Sequence, residues 1–312
     1  MTATNTGTSL GADRPRPRLG THLRSLRLFS LPVSVLPVLV ATAAVLPIRD
    51  WRWDVLAACV IGAGCLHLVG NLLNDYFDFR SGVDRRVTDD EGRPGRLLVR
   101  GELLPGDVLK EAAVCLAPAL AATAYLVWRC GGAILCFGAA AGLALYAYTG
   151  PPLQLKYRGM GEPLIFLTFG PALMVGAAFA QTGRLEWVVL LLSVMVGLAT
   201  TAIVVGNSVR DLEEDRQARI VTIGRFAGGR VARALYVILV SACVLGLAGM
   251  AAAGAVNWEL SLAPLLLGML HKPIACVWRG RRLPDIDART AGFETVLLLL
   301  LLADFVIRGV AR

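Results

Sequence analysis

Runs of about 20 mostly apolar residues recur along this 312-residue chain, and nothing else in the sequence restricts the fold as strongly. A helix needs roughly 20 apolar residues to cross about 30 Å of hydrocarbon. Nine runs of that kind stand at 28–48, 53–74, 109–128, 131–149, 162–181, 187–208, 231–254, 257–277 and 291–310. With 56% hydrophobic and only 17% charged residues, the chain is too apolar for an ordinary soluble domain. The expected fold is an all-α membrane protein of nine transmembrane helices.

The basic residues orient it. Of the 31 Lys and Arg, 25 fall in or beside the N-terminal arm and the loops after the second, fourth, sixth and eighth runs. Lys and Arg in short loops stay on the cytoplasmic side, so the N-terminus is expected inside and the C-terminus outside. Residues 1–23, polar and rich in Gly, Pro and Thr, are expected to form a disordered cytoplasmic arm, and 24–312 the transmembrane domain. The arm lacks the short apolar core of a cleavable signal, and the first run is long enough to stay in the bilayer. A plasma-membrane protein with its site toward the cytoplasm is expected. Membrane insertion alone produces this confinement of charge to alternate loops, which argues for a lipid bilayer and against nucleic acid as partner. The seven cysteines form no CxxC pair and read as small membrane-facing hydrophobes.

The second run ends in NLLNDYFDFRSGVD, residues 71–84, where a carboxylate costs about 2.5 to 3.5 kcal/mol at mid-bilayer and less near the interface. On a helix, His67, Asn71, Asn74, Asp75 and Asp78 stand at i, i+4, i+7, i+8 and i+11, one continuous stripe. The sixth run ends in GNSVRDLEEDRQARIVT, where Asn207, Asp211 and Asp215 stand at i, i+4 and i+8, with Glu213 and Glu214 on the flanks. Both stripes end even-numbered runs and open toward the same side. Two facing sets of oxygen donors suit Mg²⁺, which prefers carboxylates, waters and substrate phosphates. Arg80, Lys156, Arg158 and Arg210 lie among them, and carboxylate-held metal with fixed cations is how proteins hold a diphosphate. A site opening from an apolar bundle favours a diphosphate with a long apolar tail. His67, alone on its helix, is as consistent with a bond to a neighbour as with catalysis.

These residues resemble the two aspartate-rich motifs of the UbiA superfamily of intramembrane prenyltransferases, NDxxDxxxD after the second span and DxxxD after the sixth. The likeness extends to LLVRGELLPGDVL after the first motif and to residues 148–183, which resemble the 1,4-dihydroxy-2-naphthoate prenyltransferases of quinone synthesis. The resemblance implies that Asn74, Asp75 and Asp78 bind metal with Asp84, since position 82 is Gly, and that Asp211 and Asp215 do so with Asn207. Asp75, Asp78, Asp211 and Asp215 are thereby the expected catalytic acids. Asn71, Arg80, Tyr148, Lys156, Arg158 and Arg210 are expected at the diphosphate. Two departures stand out: the family's Arg-Pro before the first span is Arg27-Leu28, and the Gly-Lys after DxxxD is Arg219-Ile220.

The implied reaction is Mg²⁺-dependent transfer of a prenyl group from a polyprenyl diphosphate to an aromatic acceptor, with loss of CO₂ when the acceptor is the naphthoate. Phe166, Phe169 and Phe179 could shield the cation, although plain packing explains them as well. Rivals are a superfamily member with another acceptor, a terpene cyclase, and a transporter. The last is disfavoured because the acids lie only at cytoplasmic ends and no interrupted helix pair is visible in the sequence.

Overall fold

In the computed structural model, residues 17–47, 50–82, 96–212 and 221–311 are described, and all their regular elements are helices apart from one isolated bridge. The bulk of the expected arm, and with it Asp84, Glu213, Glu214 and Asp215, lies outside these residues. Residues 19–23, expected in that arm, open the short helix α1 (Leu19–Leu26).

The first apolar run does not form one rod. Helix α1 stops at Arg27, whose φ of 52° and ψ of 48° are left-handed, an uncommon state for a residue with a Cβ. A single 3-10 turn follows, and α2 (Pro32–Val45) restarts with Pro32 in its first turn, where a proline's fixed φ suits a helix and its missing N–H costs nothing. The two helices meet at a bend of 42°.

Helix α3 (Trp53–Ser81) is a 29-residue rod, about 44 Å long at 1.5 Å per residue, longer than the hydrocarbon it must cross. Its last turns, which carry the acidic stripe, can therefore stand at headgroup level. Gly82 ends it with φ of 75°. Helices α4 (Pro105–Cys130) and α5 (Ile134–Thr149) pack beside it.

The second half holds α6 (Gly161–Thr182), α7 (Trp187–Arg210), α8 (Gly229–Ala252), α9 (Trp258–Trp278) and α10 (Ile286–Ala311). Helix α6 widens to π geometry over Thr168–Ala172, around Pro171. Helix α9 is wound as a 3-10 helix from Trp258 to Leu270. The main core joins α2 to α6 through α10, with Tyr236, Phe293, Leu297 and Leu301 fully buried, while a smaller one joins α3 and α4 to Leu97, Leu98 and Leu103. Helix α2 thus ties the α3 side to the α6–α10 side.

Among the described residues, seven helices are long and apolar enough to cross a membrane, or eight if the bent pair of α1 and α2 counts as one, where nine were expected. Helix α5 has 16 residues, about 24 Å, short of a full crossing. The bend at Arg27–Leu31 joins an interrupted helix pair that was not visible in the sequence.

Helices α6 and α7 approach closely where Gly170 faces the backbone of Ser193. A Cβ at position 170 would lie 2.4 Å from the Ser193 carbonyl oxygen, and no rotamer can move that atom. Gly170→Ala should therefore destabilise the protein by about 1–3 kcal/mol, read as a lower midpoint of thermal unfolding in detergent.

Candidate active site

The polar stripe of α3 splits into two faces with different partners. One face, His67, Asn71 and Asp75, meets the bend between α1 and α2. Asp75 is buried and ion-paired with Arg27, while the Asn71 amide donates to the Leu26 carbonyl at 3.4 Å and to Ser30 Oγ at 3.2 Å. The other face, Asn74 and Asp78, meets the loop between α5 and α6. Lys156 Nζ donates to Asp78 Oδ2 at 2.7 Å and to Asn74 Oδ1 at 2.8 Å, and Asn74 Nδ2 closes the ring by donating to Asp78 Oδ2 at 3.1 Å. The Tyr157 hydroxyl donates to the other Asp78 oxygen.

Three residues apart, Asp75 and Asp78 are neighbours on the helix surface, yet each pairs with a different cation. Both carboxylates are buried, and each is compensated by a cation from another segment, which is what keeps two acids tolerable at the end of a membrane helix.

Lys156 lies in the loop. Burial alone would lower its pKa, but the Asp78 charge outweighs this and holds it above the ordinary lysine value. Its folded pKa being raised, the stability it contributes is complete below the free-lysine pKa and is lost only at still higher pH. The ammonium also faces the rings of Tyr148 and Tyr157, at 5.9 and 5.6 Å from their centroids.

The second stripe begins at the end of α7. Asp211 caps that helix, its N–H bonded to the Asn207 carbonyl at 2.8 Å, and its carboxylate is gripped by Arg210 at 2.7 and 2.8 Å. Arg210 also pairs with Asp287 of α10 at 2.8 Å. Between the stripes lies the first turn of α6: buried Glu162 accepts from Ser208 Oγ of α7 at 3.3 Å. The loop that carries Lys156 is joined to the segment after α7 by a parallel bridge between Arg158 and Val221.

The structure thus brings Asn71, Asn74, Asp75, Asp78, Tyr148 and Lys156 together around the end of α3, and Asn207, Arg210 and Asp211 at the end of α7. Arg80 and Arg158 are exposed, and Arg158 donates to its own loop at the Pro152 carbonyl, 2.8 Å away. Arg27, Ser30, Tyr157 and Glu162 are additions. Arg27 is legible only as half of a broken Arg-Pro pair, and Tyr157 only as the middle of Lys-Tyr-Arg. Ser30 and Glu162 give no signal without the fold. Phe166, Phe169 and Phe179 all have packing partners: Gly197, the His67 ring and the Phe137 ring.

Among the described residues no three His, Cys, Asp or Glu side chains converge as a metal site. The donor set still fits a hard divalent cation. It is all oxygen, and Asn207 Oδ1 is buried with no hydrogen-bond partner, the acceptor a cation beside Asp211 would use.

Acids and fixed cations thus stand together at the ends of two membrane helices. The sequence model of the UbiA prenyltransferase family matches residues 34–300, and the chain belongs to that family, as its motifs imply. UbiA prenyltransferase domain-containing protein 1 of Xenopus tropicalis is 31% identical over 284 residues, 88% of this chain and 79% of that protein. The Rattus norvegicus protein of the same name is 30% identical over 90% of this chain and 82% of its own length. These relatives give no support to the narrower likeness to the naphthoate enzymes.

Among solved structures, a UbiA homolog from Archaeoglobus fulgidus bound to DMAPP and Mg²⁺ superposes with a TM-score of 0.68 at 17% identity, over 92% of this chain and 99% of that one. The same homolog bound to GPP and Mg²⁺ gives 0.66 at 18%, with the same coverage. A UbiA homolog from Aeropyrum pernix K1 gives 0.61 at 16%, over 93% and 98%. The fold is that of the family.

Removing one partner of a buried pair strands the other charge. Lys156→Gln should cost about 3 kcal/mol of stability, and adding Asp78→Asn should recover most of it. Thermal unfolding of the single and double variants reads both.

Proposed function

We propose that the protein is a Mg²⁺-dependent membrane prenyltransferase that moves a prenyl group from a polyprenyl diphosphate to an aromatic acceptor, with its site on the cytoplasmic face of the cell membrane. The observation that carries this reading is the cluster at the end of α3. Asp78 is held at once by Lys156, Asn74 and Tyr157, one turn from the buried Asp75–Arg27 pair. Such a constellation has acids to share with a divalent cation and cations to pass to a diphosphate. The A. fulgidus homolog bound to DMAPP or GPP with Mg²⁺ supports it by analogy of fold. The skew of Lys and Arg supports the cytoplasmic placement.

Mg²⁺ when bound supplies the charge that lets a diphosphate leave. Asp75, Asp78 and Asn74 on α3, with Asn207 and Asp211 on α7, would hold it; Asp84 and Asp215 complete the two motifs. Lys156 and Arg27 are placed to shift from their carboxylates to phosphate oxygens, which keeps the departing group in place as its charge grows. The allylic C–O bond breaks with its electrons going to the diphosphate. A ring carbon of the acceptor then forms the C–C bond, and the ring loses a proton, or CO₂ where a carboxylate stands at that carbon. Apolar walls protect the allylic cation from water.

The test is an assay of membranes with Mg²⁺, a panel of prenyl diphosphates and a panel of aromatic acids and phenols that includes 1,4-dihydroxy-2-naphthoate, read by mass spectrometry. Prenylated aromatic product is expected with the wild type, and at least about a hundredfold less with Asp75→Ala or Asp211→Ala in a folded protein. Full activity in both variants removes the acids from the chemistry. A cyclic hydrocarbon formed from the diphosphate alone marks a terpene cyclase instead.

A further inference from the structure

Arg27 reaches Asp75 from a left-handed backbone position that its side chain does not favour. The two apolar side chains that follow it, Leu28 at 41% and Phe29 at 74% exposed, face outward. The polar groups that hold the bend come from α3. Ser30 Oγ lies 2.7 Å from the Arg27 carbonyl, 3.2 Å from Asn71 Nδ2 and 2.7 Å from His67 Nε2. His67 Nδ1 lies 2.7 Å from Ser34 Oγ, one turn further along α2, and Ser34 is buried.

The donors can be assigned from valence. A hydroxyl has one proton and two lone pairs. A carbonyl can only accept, so the Ser30 proton goes to Arg27. Asn71 also bonds the Leu26 carbonyl, which fixes its NH₂ on this side. Ser30 must then accept from both Asn71 and His67, and its capacity is full. His67 therefore carries its proton on Nε2, and in the neutral ring Nδ1 accepts from Ser34. Three successive rungs of one α3 face, His67, Asn71 and Asp75, each bind the segment 26–34, the last through Arg27 itself.

We propose that His67 and Ser30 are positioning residues: they hold the bend so that the Arg27 guanidinium stands at Asp75, and through Arg27 they set the affinity of the site for a metal-bound diphosphate. This rests on the diphosphate reading above. It assigns His67 a hydrogen-bonding task, a donor at one nitrogen and an acceptor at the other, and no proton transfer to substrate. An amide side chain offers the same pair of functions, so glutamine can replace it where leucine cannot.

The experiment measures binding of Mg²⁺-pyrophosphate to the purified full-length chain in detergent by calorimetry, together with KM and kcat for a prenyl diphosphate. His67→Leu and Ser30→Ala should each weaken pyrophosphate binding about tenfold, the scale on which residues supporting a ligand act, with the loss in KM more than in kcat. His67→Gln should restore most of the affinity and leave the pH profile in place. Combined with Arg27→Ala, His67→Leu should add little, because both act through one contact.

The proposal is overturned if His67→Gln loses kcat as completely as His67→Leu, which marks a proton carrier. It is equally overturned if His67→Leu costs as much without Arg27 as with it, or if neither His67→Leu nor Ser30→Ala weakens binding. Ser30→Ala, which removes a single oxygen, decides the matter if His67→Leu does not fold. Failure of the wild type itself to bind Mg²⁺-pyrophosphate overturns the diphosphate reading, and this inference with it.

Discussion

Two carboxylates at the end of a membrane-spanning helix must be compensated, and the arrangement around the end of α3 follows from how that is done. Asp75 and Asp78, three residues apart, are neighbours on the helix surface, and each takes a cation of its own. Asp75 draws Arg27 from the bend between α1 and α2, and Asp78 draws Lys156 from the loop between α5 and α6. The two acids therefore bind together segments nearly 130 residues apart in sequence. On the function proposed above, the carboxylates would share a divalent cation and the cations an anion, so that ligand binding would exchange partners without exposing a bare charge to an apolar surround.

The same constraint explains the irregular backbone nearby. The left-handed Arg27 and the bend of 42° bring a guanidinium to Asp75 on the neighbouring helix. Irregular backbone at the membrane is tolerated when other groups satisfy it. At the bend those groups are Ser30 of the turn itself, with Asn71 and His67, which belong to the polar stripe of α3 but not to its Asn74–Asp78 motif. The stripe on α3 thus has two sets of partners, the bend between α1 and α2 on one side and the loop between α5 and α6 on the other.

Much was legible in the sequence. The apolar runs mark the helices with errors mostly at their ends, and the 16-residue α5 is shorter than its run of 131–149. Asn74, Asp75 and Asp78 are recognisable because their spacing is local to one helix. Arg27, Ser30, Tyr157 and Glu162 were not marked as site residues, since their partners are 37 to 79 residues away and nothing local marks an arginine or a tyrosine as a carboxylate's partner.

The sequence by itself determined the class of the molecule: a helical membrane protein with two acidic stripes, because hydrophobic length, charge asymmetry and 3.6-residue periodicity are properties of consecutive residues. Only the tertiary structure decided which cation faces which acid, that the stripe of α3 divides into two faces, and that His67 is spoken for by two serines. Those are distances between segments remote in the chain, fixed by how the helices pack and not by any run of residues within one of them.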